Sequence, residues 1–211
     1  MSGRVKMQRG FTLVELLVSM LLALILLASF VAMMTDTLHD ATMSANQGKL
    51  IEETGAINQF LYTELRRAGY ASAGDMTIAP YNKVYLVASG GSNYCVRFGY
   101  DSNRNGEKYF GFRLSGTTLQ WFASSGSTGW TCNSTNSAWQ ALHDSNVVQV
   151  SSFSVNAYPT SATLPASGVA LSYTLTTLLP NLPSTETSST LTETHYVYPR
   201  NIPTVDNTAA N

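Results

Sequence analysis

The segment Phe11–Met34 constrains this chain more than anything that follows it. It runs for about two dozen residues, long enough to cross a bilayer as a helix, and Glu15 is the one ionisable side chain within it. A lone ionised acid in hydrocarbon costs about 3 kcal/mol on insertion scales, so Glu15 needs a partner and marks a functional position. Arg4, Lys6 and Arg9 stand ahead of it, followed by Gly10 and then Phe11. A secretory signal peptide would carry its apolar core before the cleavage site and be discarded with it. Here the order is inverted, and the apolar run continues without a break into a helical pattern that reaches Ala68. The hydrophobic segment is therefore expected to stay with the protein.

The string Gly10-Phe11-Thr12-Leu13-Val14-Glu15-Leu16-Leu17-Val18-Ser19-Met20 closely resembles the class III signal of type IV prepilins and type II secretion pseudopilins. That resemblance implies cleavage by a prepilin peptidase between Gly10 and Phe11 and methylation of the new amino terminus at Phe11. It also implies that Glu15, fifth residue of the mature chain, pairs with the terminal ammonium of a neighbouring subunit. The electrostatics agree, because two charges that are each costly in lipid become tolerable as a pair and fix axial register.

Composition narrows the class further. Charged residues make up only 12% of the chain, and Ser, Thr, Asn and Gly dominate the polar complement. That balance points to an extracytoplasmic β-rich surface and away from a cytosolic enzyme. Of the twelve basic side chains, Arg4, Lys6 and Arg9 lie in the leader; nine then face thirteen acids, a formal charge of −4. The leader cations also set orientation, since positive flanks stay cytoplasmic and leave the C-terminal domain in the periplasm. A mildly acidic domain carries no electrostatic footprint for nucleic acid, so no direct nucleic acid partner is expected. Cys95 and Cys132 are an isolated pair, which outside the cytoplasm reads as a disulfide worth roughly 3–4 kcal/mol in the chain-entropy model. Two buried thiols, or half of a metal site without nearby His partners, are the alternatives.

Periodicity predicts an α+β architecture: a long N-terminal helix, membrane-spanning in its first half and amphipathic in its second, packed on an antiparallel β-sheet domain. The leader is 1–10, the apolar half 11–34, the amphipathic half 35–70, the β-rich domain 71–202, and a flexible tail 203–211. Leu50, Ile57, Leu61, Leu65 and Ala68 recur at three-, four- and seven-residue intervals, forming the packing stripe. Gly48 and Gly55 read as tolerated glycines, Arg66 and Arg67 suit the last turn, and Gly69 suits the stop. Period-two runs place strands at Lys83–Ala88, Tyr94–Tyr100, Lys108–Leu114, Thr117–Ala123, Val147–Tyr158, Val169–Leu178 and Leu191–Tyr198. Asn105-Gly106 and Ser115-Gly116 predict tight turns and hence a meander from Tyr94 to Ala123.

The sequence Leu65-Arg66-Arg67-Ala68-Gly69-Tyr70 resembles an element of PilW-like minor pilins, among them the PpdB and MshO types, and is similar to GspJ-type minor pseudopilins. Cys95, Tyr100-Asp101, Gly111-Phe112-Arg113-Leu114, Trp130, Cys132, Trp139 and Tyr198-Pro199-Arg200-Asn201 continue the likeness in order. It implies a pilin-like domain in a minor type IV pilin that helps initiate pilus assembly within a tip complex. The implied partners are prepilin peptidase, other minor pilins, the major pilin, the inner-membrane assembly platform and inner-membrane lipid. Implied too is residence in the bacterial inner membrane as a single-pass protein, followed by assembly into a surface pilus. A type II secretion pseudopilin, and a tip adhesin or DNA-uptake subunit, are the alternative readings. An adhesin would be favoured by exposed Trp121 or Trp130. Core packing is the default for these aromatics, with Trp130 and Trp139 beside a disulfide. Arg113, in an apolar strand, needs carbonyls or a carboxylate, for which Asp101 is the candidate.

Other chemistry is thin. Asp101, Asn103, Asn105 and Gly106 match the first half of a calcium loop, but Phe112 stands where the closing bidentate acid belongs, so a polar hairpin loop is preferred. His39, His143 and His195 are scattered without ligand spacing, no serine has a nucleophile-elbow context, and no phosphate loop appears. Neither an enzymatic role nor a cofactor is expected.

Overall fold

Thr12 opens the first helix, and the way it does so follows from the sequence Thr-x-x-Glu. In the computed structural model the Thr12 hydroxyl accepts from the Glu15 amide at 3.3 Å, and the Glu15 carboxylate accepts from the Thr12 amide at 3.2 Å. This is a capping box, which satisfies donors that a helix start otherwise leaves unpaired. The structure describes residues 12–72, 77–89, 93–102, 106–135, 137–158, 170–180, 190–199, 201 and 204–206. Gly10 and Phe11 of the expected cleavage site therefore lie outside the described residues, as do the leader, Asn103, Asn105 and the chain end from 207.

Helix α1 spans Leu13–Arg67. The chain divides into two compact units, Met1–Asn46 and Gln47–Asn211. This division falls later than the change from all-apolar to amphipathic sequence after Met34. In the first unit, large apolar side chains from Leu13 to Leu38 are exposed, and α1 is long and apolar enough to cross a membrane. Its few hydroxyls are satisfied internally: Ser19 donates to the Glu15 carbonyl at 2.7 Å and Ser29 to that of Leu26 at 2.8 Å. Such bonds let polar residues sit in hydrocarbon without orphaned groups.

In the second unit the expected stripe is buried, with Leu61, Leu65 and Ala68 fully enclosed and Leu50 and Ile57 nearly so. Three polar residues share that face. Thr54 bonds the Thr177 hydroxyl at 2.7 Å, the Asn58 amide donates to Glu193, and Glu64 accepts from the Tyr100 hydroxyl. Each of the three side chains finds a partner, as burial requires, although the Asn58 Oδ1 accepts no hydrogen bond.

The strands are β1 Lys83–Ser89, β2 Asn93–Gly99, β3 Tyr109–Ser115, β4 Thr118–Ser124, β5 Trp139–Ala141, β6 Gln149–Tyr158, β7 Ala170–Leu178, β8 Thr190–Val197 and β9 Thr204–Asp206. Among the described residues they form one sheet in the order β5-β4-β3-β2-β6-β7-β8, with β1 on β2 and β9 on β1. The meander β2–β3–β4 is antiparallel, with Phe98 opposite Phe110 and Phe112 opposite Trp121. Strand β6 joins it in parallel through the single pair Asn93–Phe153. Phe98, Phe110, Phe112, Phe153 and Tyr173 fill the core between sheet and helix face. The architecture is α+β, as the periodicity predicts.

Three details differ from expectation. Ser115 pairs with Thr118, so the second tight turn is centred on Gly116-Thr117, where Gly116 takes φ 62°. Strand β5 is only three residues long, too short for alternation to be visible. The tail expected to fray from Pro203 instead contributes β9: the Thr204 amide donates to the Asn82 carbonyl at 3.0 Å, and Lys83 reaches Asp206 at 3.4 Å. Main-chain pairing to the free edge of β1 holds these residues, despite the little apolar surface they offer.

Leu61→Ala in the full chain is expected to cost about 2–5 kcal/mol, because a fully enclosed side chain leaves a cavity. Ile51→Ala, on the exposed face of the same helix, should stay within about 0.5 kcal/mol. Urea denaturation in detergent, followed by tryptophan fluorescence, checks both.

Candidate functional site

The candidate residues fall into three groups. The first is the start of α1. Glu15 is the only acid between Leu13 and Met34. Its carboxylate lies exposed on the helix surface and also accepts from the Thr12 hydroxyl at 3.2 Å. The surrounding side chains are apolar and exposed as well, so the acid is a single charge in an apolar surface.

The second group joins the end of α1 to β2. Gly69 adopts φ 83°, the left-handed conformation that ends helices and that glycine takes without steric cost. Its amide donates to the Gly99 carbonyl at 2.8 Å, and the Asp101 amide donates to the Tyr70 carbonyl at 2.7 Å. Gly99 has no room for a side chain, since a Cβ would stand 2.5 Å from Pro80 Cγ and 2.7 Å from the Pro80 carbonyl. Glu64 accepts from Tyr100 and from Arg67, the latter at 2.9 Å. Burial, reinforced by the Glu64 carboxylate, pushes the Tyr100 hydroxyl pKa up. Asp101 accepts from the Ser72 amide at 2.9 Å, the Ser72 hydroxyl at 2.6 Å and the Tyr81 hydroxyl at 2.6 Å. Burial acts to raise its pKa, but these donors outweigh it and hold the carboxyl below its ordinary value.

Asp101 is therefore not the partner of Arg113. That guanidinium lies over the Trp139 ring at 4.3 Å and donates to the carbonyls of Cys132 at 2.8 Å and Ser134 at 2.6 Å. Its Nε donates to the Gln120 amide oxygen at 2.8 Å. The carbonyl alternative holds because the segment after Cys132 is tethered directly over β3. Both oxygens of Asp101 already accept from Tyr81 and Ser72, so the aspartate that would open a calcium loop is committed to joining helix and sheet. Its companions Asn103 and Asn105 lie outside the described residues.

The third group surrounds the disulfide. Cys95 and Cys132 are bonded, closing a separation of 37 residues. Val87, Phe122, Trp130 and Trp139 pack with them. The indole of Trp130 donates to the Phe110 carbonyl at 2.7 Å, and Arg97 donates to the Trp130 carbonyl at 2.7 Å. The Arg97 guanidinium lies beside the edge-to-face pair of Tyr85 and Trp130, 5.4 and 5.3 Å from their ring centres. Trp130 is thus a core residue, which removes it from any exposed binding surface. Trp121 packs on Phe110 and Phe112 but keeps part of its ring open, lining a cleft of about 940 Å³ with the end of α1.

Comparison with protein families joins the first group to the other two. The profile described as prokaryotic N-terminal methylation motif matches residues 5–31. The profile of prepilin peptidase-dependent protein B matches residues 43–197, well over half of the chain. The chain belongs to the prepilin peptidase-dependent protein B family. No curated protein and no solved structure matches it. Both matched families are structural and not enzymatic, and membership makes this a pilin-like protein dependent on prepilin peptidase. Gly10, Phe11 and Glu15 fall within the methylation motif. The Leu65–Tyr70 element, both cysteines, Asp101 and Arg113 fall within the prepilin peptidase-dependent protein B match.

Within this family member His143 has a structural position. Its Nε2 accepts from the Leu119 amide at 3.0 Å. Burial lowers its pKa from the ordinary 6.5, against the opposing influence of Asp144, Val148 and Glu53. The unfolded chain then binds a proton before the folded one does. The stability from the neutral imidazole is complete above pH 6.5 and is lost as pH falls from there towards the lower folded value. Thermal midpoints measured from pH 7 downward should fall less steeply in His143→Gln than in the parent. For the glycines, Gly99→Ala should cost about 1–3 kcal/mol through overpacking against Pro80. Gly55→Ala, where a Cβ meets nothing within 4 Å, should stabilise by up to about 1 kcal/mol in denaturant titrations.

Proposed function

We propose that this protein is a minor type IV pilin, a structural subunit that helps initiate pilus assembly within a tip complex of minor pilins. The observation that carries the reading is the pairing of an N-terminal methylation motif over 5–31 with a prepilin peptidase-dependent protein B domain over 43–197. Prepilin peptidase cuts between Gly10 and Phe11 and methylates Phe11. The apolar half of α1 holds the protein in the inner membrane as a single pass, with the β-domain in the periplasm. Other minor pilins, the major pilin and the inner-membrane assembly platform are its partners, and the end state is a surface pilus.

Glu15 does the docking. An exposed carboxylate surrounded by apolar side chains gains most from an ammonium brought in by a second subunit, because their attraction offsets the desolvation cost of each charge. The product is a non-catalytic assembly. Supporting this, a family whose members are structural subunits accounts for the aromatic core, the disulfide and the capped helix without any reacting group.

Quantitative mass spectrometry of sheared surface fibres tests the reading. The expected result is a peptide beginning with methylated Phe11, at trace stoichiometry against the main pilin. A processed chain confined to the envelope and missing from fibres would move it to a secretion pseudopilin. Glu15→Ala is expected to leave cleavage intact while lowering fibre incorporation by tenfold or so, as the loss of one charge pair of about 1.4 kcal/mol or more implies; normal incorporation would remove the charge-pairing argument.

A further inference from the structure

The cleft at the end of α1 is not used by any of the chemistry above. It has a volume of about 940 Å³, opens to solvent, and is bounded by the last turns of the helix on one side and β3, β4 and β5 on the other. Its aromatic surfaces are Tyr62, 40% exposed, Tyr70, 47% exposed, and the uncovered part of the Trp121 ring. Its polar surfaces include Arg66, Glu107 and Gln140. Among the described residues these three side chains make no hydrogen bond or ion pair of their own. Neighbouring charges are already committed, Arg67 to Glu64 and Asp101 to Ser72 and Tyr81.

Charge and shape narrow the ligand. The lining sets Arg66 and Arg67 against Glu64, Asp101 and Glu107, a slightly acidic balance that does not favour a polyanion such as nucleic acid. An apolar ligand would want an enclosed pocket with few polar groups, whereas this one is open and carries three planar polar groups accessible to solvent. Planar groups with paired donors or acceptors suit a ligand that presents adjacent hydroxyls, because each can bond two of them at once. Exposed aromatic rings suit a ligand with a flat face of C–H groups. A pyranose has both, a C–H face and a rim of adjacent hydroxyls, and the volume lies within the range of small-molecule sites, with room for a di- or trisaccharide.

We propose that the cleft between the end of α1 and strands β3–β5 binds a neutral oligosaccharide. Tyr62, Tyr70 and Trp121 supply the stacking surfaces, and Arg66, Glu107 and Gln140 bond the hydroxyls. The protein's surface would then carry a recognition site in addition to its structural role. This inference does not rest on the fibre reading, since it concerns the purified chain alone.

The test uses the full chain in an amine-oxide detergent, which has no sugar headgroup to compete. It is titrated with chitotriose, cellotriose and maltotriose and applied to an array of neutral, sialylated and sulfated glycans. Binding is followed by tryptophan fluorescence and calorimetry. The expected result is saturable binding of at least one neutral oligosaccharide. Tyr62→Ala and Gln140→Ala should each weaken it about tenfold, the loss of one stacking or paired polar contact. Both variants should keep the parent circular dichroism and melting midpoint, because both side chains lie at the surface. Tyr196→Ala, an exposed tyrosine outside the cleft, should bind like the parent. Three results would overturn the proposal: no neutral glycan binds; binding is restricted to anionic glycans and disappears in Arg66→Ala; or Tyr62→Ala and Gln140→Ala bind as tightly as the parent.

Discussion

At Gly69 the backbone turns left-handed, and the amide that would have sought a helical carbonyl bonds Gly99 on β2 instead. The rest of the C-terminal unit depends on that exchange. It fixes where the buried face of α1 meets the sheet, and so which of its residues reach the core. Around it, Gly99 gives Pro80 room, Asp101 collects Ser72 and Tyr81, and Glu64 collects Tyr100 and Arg67. Two glycines, needed for different physical reasons, and two carboxylates convert a helix end into a rigid corner. Leu61 and Leu65 are fully enclosed beside the corner that these bonds tie to β2.

Much of this could be read from the residues themselves, and the parts that could not share one cause. Strong local periodicity exposed the long helix, its packing stripe and the seven longer strands, because alternation and the 3.6-residue repeat are properties of neighbouring residues. Strands β5 and β9 are three residues each, and nothing local marks them; they exist because β4 and β1 present unpaired edges. The pairing of Cys95 with Cys132 was legible because only two cysteines are present. Asp101 was misassigned to Arg113 because both stand near one hairpin in sequence. In space the helix end delivers Ser72 to the aspartate, while the tethered segment after Cys132 delivers carbonyls to the arginine. Thr54, Asn58 and Glu64 interrupt the apolar stripe, and their partners lie far along the chain, at Thr177, Glu193 and Tyr100. Long-range polar matching has no local signature.

The disulfide and the two arginines near it form a second cluster of different character. Arg97 and Arg113 are partly desolvated, and burial lowers the pKa of each. Aromatic rings and backbone carbonyls receive both of them. Such an arrangement suits an arginine better than a lysine, since a flat, weakly hydrated cation can stack and donate in several directions at once. It ties the segment between Gly129 and Ser134 to β2 and β3 through side chains as well as through the covalent bridge.

The capping box at the start of α1 means that the lone subunit carries its acid partly solvated by its own backbone. A carboxylate entering a poorly polarisable medium is hardest to place when nothing donates to it. Here the amide and hydroxyl of Thr12 travel with Glu15, whatever surrounds the helix. Any other donor has only to compete with two long, exposed bonds at 3.2 Å, which a full positive charge outweighs. The same threonine that starts the helix thus also donates twice to the one acid of its apolar stretch, easing the most expensive charge there.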